Sequence, residues 1–311
     1  MARKFPKHLL DTERLTIAEI SAVLNLAKKY AKQNRNKNKT INKLHGKTLV
    51  NLFFEPSTRT RTSFEIAAKR LSADVVNVAV DQSSNKKGET LLDMVMAFNA
   101  MQVDAIVIRH SESGVPQFLA PQVDAAIINA GDGTHEHPTQ ALLDAFTILR
   151  HKKTLKNLKI AICGDVQHSR VAHSNIHLLN KFGAKVRIIS PPYFMPKDLD
   201  KLGVEAFDNM KEGLRDVDVV MTLRIQLERM NEGEFAVSFK EYYQHYGLDH
   251  KKLAVAKPNV IVMDPGPINR DVQISSELAD DPKFSVVREQ IELGVAVRMA
   301  CLDLLLSEKK N

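Results

Sequence analysis

Thr48-Leu49-Val50-Asn51-Leu52-Phe53-Phe54 runs straight into Glu55-Pro56-Ser57-Thr58-Arg59-Thr60-Arg61-Thr62, and that into Ser63-Phe64-Glu65-Ile66-Ala67-Ala68-Lys69-Arg70-Leu71. An apolar run, a polar turn and a segment with Phe64, Ala67, Ala68 and Leu71 at helical spacing read as strand, loop and helix. Pro56 closes the strand, and Ser57 is expected to cap the helix. The first backbone N–H groups of a helix lack partners within it and carry the positive end of its dipole, so this terminus attracts anions. Ser57, Thr58 and Thr60 add hydroxyls and Arg59 and Arg61 add guanidiniums, groups that bind a phosphate through several charge-assisted hydrogen bonds. A capped helix with two solvated arginines is the plainer alternative.

At 311 residues the chain exceeds the size at which one core stops growing, so two domains of about 150 residues each are expected. Hydrophobic residues at 44% and charged residues at 26% describe an ordinary globular protein. No apolar run reaches the roughly 20 residues that span a bilayer, and the N-terminus leads into no signal-type apolar segment, so a cytoplasmic protein without a membrane partner is expected. Cys163 and Cys301 lack metal-site or redox spacing and read as buried small hydrophobes. The net charge of +7 invites a nucleic-acid reading, yet Lys28, Lys29, Lys32, Arg35, Lys37, Lys39, Lys43 and Lys47 supply +8 within residues 28 to 47, which leaves the remainder at −1. With no Trp and no nucleic-acid motif, a solvated helix end explains that run, and no nucleic-acid partner is expected.

Thr16-Ile17-Ala18-Glu19 has the form of a capping box, followed by an apolar stripe of Ile17, Ile20, Leu24 and Ala27. After the opening strand and helix, apolar strands at Asp74 to Val80, Val103 to Arg109 and Ala125 to Asn129 alternate with helices near Thr90 to Met101 and Pro138 to Leu149. That alternation predicts a parallel sheet with crossover helices. Lys152 to Asn157 reads as a hinge, and a second series begins at Leu158 to Cys163, with a helix over Ser169 to Phe182 and strands over Lys185 to Ser190, Val217 to Leu223 and Val260 to Asp264. The expected fold is α/β: two doubly wound parallel-sheet domains, residues 1–150 and 151–289, with a ligand cleft between them. The long apolar C-terminal helix, about 290–311, is expected to cross back to the first domain.

In such folds ligands meet the loops after the strands' carboxyl ends. Those loops carry Ser57 to Arg61; Asp81 to Glu89; Arg109-His110; Gly131-Asp132-Gly133-Thr134-His135-Glu136-His137-Pro138-Thr139-Gln140; Asp165, His168, Ser169 and Arg170; Arg224-Ile225-Gln226; and Asp264-Pro265-Gly266-Pro267. Arg109, Arg170 and Arg224, added to the phosphate-type turn, point to a substrate with several acidic oxygens.

Over essentially its whole length the sequence resembles the aspartate carbamoyltransferases. The resemblance lies in Phe53 to Arg61, Lys87-Gly88-Glu89-Thr90, Arg109-His110, Asn129 to Gln140, His168-Ser169-Arg170-Val171 and Leu223 to Arg229. The Ser-Thr-Arg-Thr-Arg turn alone indicates a carbamoyltransferase, while Arg224-Ile225-Gln226 with the His-Pro-Thr-Gln loop matches aspartate better than ornithine. Transfer to ornithine or another amino acid, and a non-catalytic homologue serving as a structural or regulatory subunit, are the alternatives. The resemblance implies a first domain for carbamoyl phosphate and a second for aspartate. It assigns Ser57, Thr58, Arg59 and Thr60 to phosphate; Thr60, Arg109 and His137 to the carbamoyl oxygen; Gln140 to the carbamoyl NH₂; and Arg170, Arg224 and Gln226, with Gly266 and Pro267, to aspartate. Ser83 and Lys87 are implied to complete the anion cage from a neighbouring chain of a homotrimer, Lys87 also serving aspartate. A regulatory chain or a dihydroorotase is a further partner that the resemblance admits.

No metal or organic cofactor is expected, because the carbamoyl donor is already activated and its leaving phosphate can take up the amine's proton. His135 and His137 around Glu136, and His173 with His177, are zinc-like pairs without a third ligand nearby. The family usually has His-Pro-x-Pro in the last loop, and this chain has Asp264 at the first position. A carboxylate there adds negative charge to an anion site, which predicts weakened aspartate binding.

Overall fold

The computed structural model describes residues 5–79, 89–230, 235 and 237–307. They form two compact units, Met1–Leu142 with Glu292–Asn311, and Leu143–Ile291.

The first unit holds four parallel strands, β1 (Thr48–Phe53), β2 (Asp74–Val78), β3 (Ala105–His110) and β4 (Ala126–Asp132), in the order β2-β1-β3-β4. Helices α1 (Ile17–Gln33), α2 (Thr58–Arg70), α3 (Leu91–Ala100) and α4 (Val115–Leu119) connect or cover them, and α5 (Pro138–Lys152) follows β4. Strands buried on both faces explain the near-continuous apolar runs: Leu49, Val50, Leu52, Ile106, Val107, Ile108, Ile127 and Ile128 are all buried. Asn51 is the polar exception inside β1, and its amide donates to the Asn77 side chain on β2 at 2.9 Å.

The capping box of α1 is present in full: Thr16 Oγ1 accepts from the Glu19 N–H, and the Glu19 carboxylate from the Thr16 N–H. Ile20, Leu24 and Ala27 are buried as the stripe requires, but Ile17 is 51% exposed. It stands at the edge of the buried arc, which continues instead through Val23, Tyr30 and Ala31.

In the second unit α6 is Arg170–Lys181, and the parallel strands are β5 (Lys159–Cys163), β6 (Lys185–Ile189), β7 (Glu205–Phe207), β8 (Val219–Thr222) and β9 (Ile261–Met263), in the order β7-β6-β5-β8-β9. The three-residue edge strand β7 is one more than the sequence predicts. Glu205 and Ala206 are exposed, so no apolar pattern marks it. Val217, Val220, Val262 and Ile274 belong to one continuous core, with Cys163 of β5 buried in it. Short helices α7 (Leu199–Leu202), α8 (Met210–Gly213), α9 (Phe239–Tyr246), α10 (His250–Leu253) and α11 (Ser276–Asp280) complete the unit.

The last helix, α12 (Val287–Leu306), begins in the second unit, and its C-terminal part belongs to the first, as predicted. There Asp303 accepts a hydrogen bond from the Tyr30 hydroxyl at 2.6 Å and pairs with Lys43, while the Arg298 guanidinium lies 5.2 Å from the centre of the Phe64 ring of α2. Burial and the Asp303 carboxylate together push the Tyr30 phenol far above its ordinary value. Cys301 is buried on the same helix. Among the described residues no helix is long and apolar enough to cross a membrane.

Candidate active site

In each sheet the chain leaves one central strand toward one side and later resumes on the other, which opens a crevice at the carboxyl ends of the two strands flanking that reversal. In the first unit those strands are β1 and β3. Their register sets Phe53 opposite Arg109, and the Phe54 N–H donates to the Arg109 carbonyl at 2.9 Å. Glu55, the next residue along, brings its carboxylate 3.2 Å from Arg109 Nε. That ion pair is 15–17% exposed and fixes the guanidinium at the end of β3. Nothing in the sequence marks this role for Glu55, because which strand neighbours β1 is a tertiary fact.

Ser57 occupies the N-cap of α2, as expected, but its side chain makes no capping bond. Thr16, Thr90, Ser169, Ser238 and Ser275 all cap their helices through the side-chain oxygen. The Ser57 hydroxyl and the first N–H groups of α2 are therefore left for something else. Thr58 and Arg59 are exposed beside it, Thr60 is 8% exposed, and Arg59 makes no hydrogen bond or ion pair among the described residues.

The loop after β4 is built from the inside. Asn129 donates to Asp132 Oδ1 at 2.7 Å and accepts from the Gly131 N–H; Asp132 also accepts from the Gly114 and Glu136 N–H groups and from His135 Nδ1. Burial alone would raise the Asp132 carboxyl, but the His135, Gly114 and Asn129 hydrogen bonds outweigh it and hold the group below its ordinary range. The same His135–Asp132 bond raises the imidazole against the opposing effect of burial. Glu136 accepts from the N–H and hydroxyl of Thr12, each at 2.7 Å. His135 and Glu136 thus hold the loop, and His137, Thr139 and Gln140 are buried at the start of α5. Among the described residues no group of three or more His, Cys, Asp or Glu is placed to hold a metal.

In the second unit the reversal falls between β5 and β8. Gly164, at φ +124°, lets the two strand ends meet: a Cβ there would stand 2.5 Å from the Leu223 carbonyl oxygen. Asp165, fully buried, then bridges them. One carboxylate oxygen accepts from the Gln226 N–H at 3.0 Å, and the other from His168 Nδ1 at 2.8 Å and the His168 N–H. Its carboxyl is pushed up because burial exceeds the help of those donors. Ile225 anchors the intervening turn in an apolar cluster with Phe194 and Tyr242.

Arg170, 2% exposed, opens α6 behind the Ser169 cap. Arg224 is gripped by both oxygens of Glu228, one of them 2.8 Å from Nη1. Burial works against ionisation of Glu228, yet its bonds to Arg224 hold the carboxyl down at about 2. The Gln226 amide nitrogen donates to the Arg224 carbonyl at 3.1 Å, and Arg229 Nη1 donates to the His168 carbonyl at 2.8 Å.

Asp264, at the position where the family usually has His, is turned inward. Its side chain is 2% exposed, and its oxygens accept from Thr222 Oγ1 at 2.6 Å, Gln273 Nε2 at 3.1 Å and the Gly266 N–H at 2.7 Å. Pro267 is exposed and Gly266 half-buried, joined by a cis peptide bond. Ser83 and Lys87 lie outside the described residues.

A pair of parallel sheets, each with arginine side chains close to its point of reversal, makes this a two-domain α/β protein of the doubly wound class. The chain belongs to the aspartate/ornithine carbamoyltransferase family: residues 7–150 match the carbamoyl-P binding domain and residues 156–305 the Asp/Orn binding domain. Within that family it is 58% identical to the aspartate carbamoyltransferase catalytic subunit of Rhodospirillum centenum, over 97% of this chain and 95% of the relative. It superposes on aspartate transcarbamoylase from Trypanosoma cruzi in complex with carbamoyl phosphate and aspartate with a TM-score of 0.89, at 32% identity and 98% coverage of both chains. The ornithine carbamoyltransferase of Pyrococcus furiosus aligns at 28% identity with a TM-score of 0.84, over 96% of each chain.

Proposed function

We propose that the chain transfers the carbamoyl group of carbamoyl phosphate to the amino group of L-aspartate, releasing N-carbamoyl-L-aspartate and phosphate, in the pyrimidine pathway. The observation that carries this reading is the uncapped start of α2, with free Arg59, next to an Arg109 held by Glu55. Its amino-acid specificity draws support from 58% identity to an aspartate enzyme against 28% to an ornithine enzyme.

Ser57, Thr58, Arg59 and Thr60 hold the phosphate, and Arg59 neutralises the charge that grows on its oxygens. The amine nitrogen bonds to the carbamoyl carbon, and Thr60, Arg109 and His137 stabilise the oxyanion that forms. Gln140 holds the carbamoyl NH₂. The bond to phosphate then breaks, and the departing phosphate takes the amine's proton, so no metal or organic cofactor is needed. Arg170 and Arg224 bind the carboxylates of aspartate, with Gln226, Gly266 and Pro267 beside them. Residues 1–150 with about 290–311 serve carbamoyl phosphate, and 151–289 serve aspartate.

A homotrimer in the cytoplasm is part of the same reading, with Ser83 and Lys87 supplied to each site by a neighbouring chain and a regulatory chain or dihydroorotase as a further partner. Two unpaired thiols fit a reducing compartment. A colorimetric assay for carbamoylaspartate, run beside one with ornithine, tests the reaction: product from aspartate alone is expected, and product from ornithine alone overturns the specificity. Refolding Arg59→Ala and Lys87→Ala chains together tests the shared site. Random three-chain rings should recover about one quarter of wild-type activity.

A further inference from the structure

We infer that Asp264 is a positioning residue for the amino-acid substrate, whose buried carboxylate ties the extension of β8 that carries Arg224 and Gln226 to the loop Pro265–Pro267, both segments serving aspartate as proposed above. Thr222, which donates to Asp264 at 2.6 Å, is the last residue of β8 and stands two positions before Arg224. Gly266, whose N–H donates at 2.7 Å, is the middle of the loop. The third donor cannot turn round. Gln273 Oε1 accepts from the Asn269 N–H at 3.2 Å, and its Nε2 also reaches the Pro267 carbonyl at 3.3 Å, so flipping the amide would forfeit both contacts.

The backbone of Asp264 extends the connection. Its N–H donates to Gln290 Oε1 at 3.2 Å, Gln290 Nε2 donates to Asp144 at 2.7 Å, and the other Asp144 oxygen accepts from Asn175 at 2.8 Å. Asn175 belongs to α6, the helix that opens with Arg170. Asp144, Asn175 and Gln290 are 0–1% exposed, so these bonds compete with no solvent and fix one arrangement. The three segments assigned to aspartate thus share one buried polar chain that passes through Asp264. Its negative charge is met by the hydroxyl of Thr222, the amide of Gln273 and the N–H of Gly266.

The deciding measurement is KM for each substrate and kcat, for the wild type and for Asp264→Asn and Thr222→Val. Asparagine keeps the shape and one acceptor for Gly266, but it opposes its NH₂ to that of Gln273. Valine removes only the hydroxyl donor. Asp264→Asn should raise KM for aspartate about tenfold while KM for carbamoyl phosphate stays within about twofold, and Thr222→Val should shift it less, in the same direction. A fall in KM for aspartate in Asp264→Asn would mean that the carboxylate repels substrate and would overturn the inference. Unchanged KM values with a smaller active fraction would overturn it too, by reducing Asp264 to a support of the fold. Should Asp264→Asn fail to fold, Thr222→Val carries the same comparison. A wild-type protein that makes no carbamoylaspartate overturns the proposed reaction, and the role of Asp264 with it.

Discussion

His137 is 4% exposed at the start of α5, with Gln140 at 7% three residues on, so a hydrogen bond from its imidazole to a substrate oxygen would be made almost out of water. Removing one such donor to an oxyanion costs roughly 10² to 10³ in turnover. His137→Ala should therefore lose that much kcat at saturating substrates, measured at a temperature where the variant is fully folded, since truncating a buried imidazole also lowers the melting temperature. A variant that instead lost only phosphate affinity would move His137 to the leaving group. On the amino-acid side, Glu228 is depressed from 4.5 to about 2. A lowered carboxyl stabilises the fold above its unfolded value and ceases to as pH falls through the folded one, so Arg224 keeps its partner throughout the neutral range.

The contrast between the caps of α1 and α2 belongs to the element. Thr16 satisfies an N–H at the start of α1 and Ser57 satisfies none through its side chain, although both are N-cap hydroxyls. Thr16→Ala should cost about 1 kcal/mol of stability in urea unfolding. Ser57→Ala should leave the unfolding midpoint almost unchanged and weaken phosphate as a competitive inhibitor. The loop after β4 makes a prediction in pH. His135 is raised above 6.5 by Asp132, so its contribution to stability is complete below about 6.5 and fades as pH rises through the raised value. In His135→Gln the part of the decline in melting temperature that sets in as pH rises above about 6.5 should flatten; an unchanged decline would place its cause elsewhere.

Across the whole molecule, eight strands were legible as apolar runs with polar loops after them: the inner ones because parallel strands are buried on both faces, and the edge strand β2 by its valines although it is largely exposed. The turn from Glu55 to Thr62 and the loop from Asn129 to Gln140 stood out as candidates because polar residues gather where strands end. Partnerships were not legible. Glu55 with Arg109, Asp165 with Gln226, and Asp264 with Thr222 lie 54, 61 and 42 positions apart and depend on which strands are neighbours. The failed cap at Ser57 was hidden as well, since a serine that caps and one that leaves its helix open share the same letters. β7 went unread because an exposed strand of three residues has no periodicity to show.

The two cysteines, buried on β5 and on α12, have a practical consequence. Burial lifts the Cys301 thiol to about 12 and the Cys163 thiol higher, so neither forms the thiolate that reacts with disulfide reagents near neutral pH. Ellman titration of the native protein should count no reactive thiol, and titration in denaturant should count two. The natural chain is then a silent background for labelling chemistry: one cysteine introduced on the surface would be the single position to take a dye or spin label, and neither native cysteine would have to be removed first.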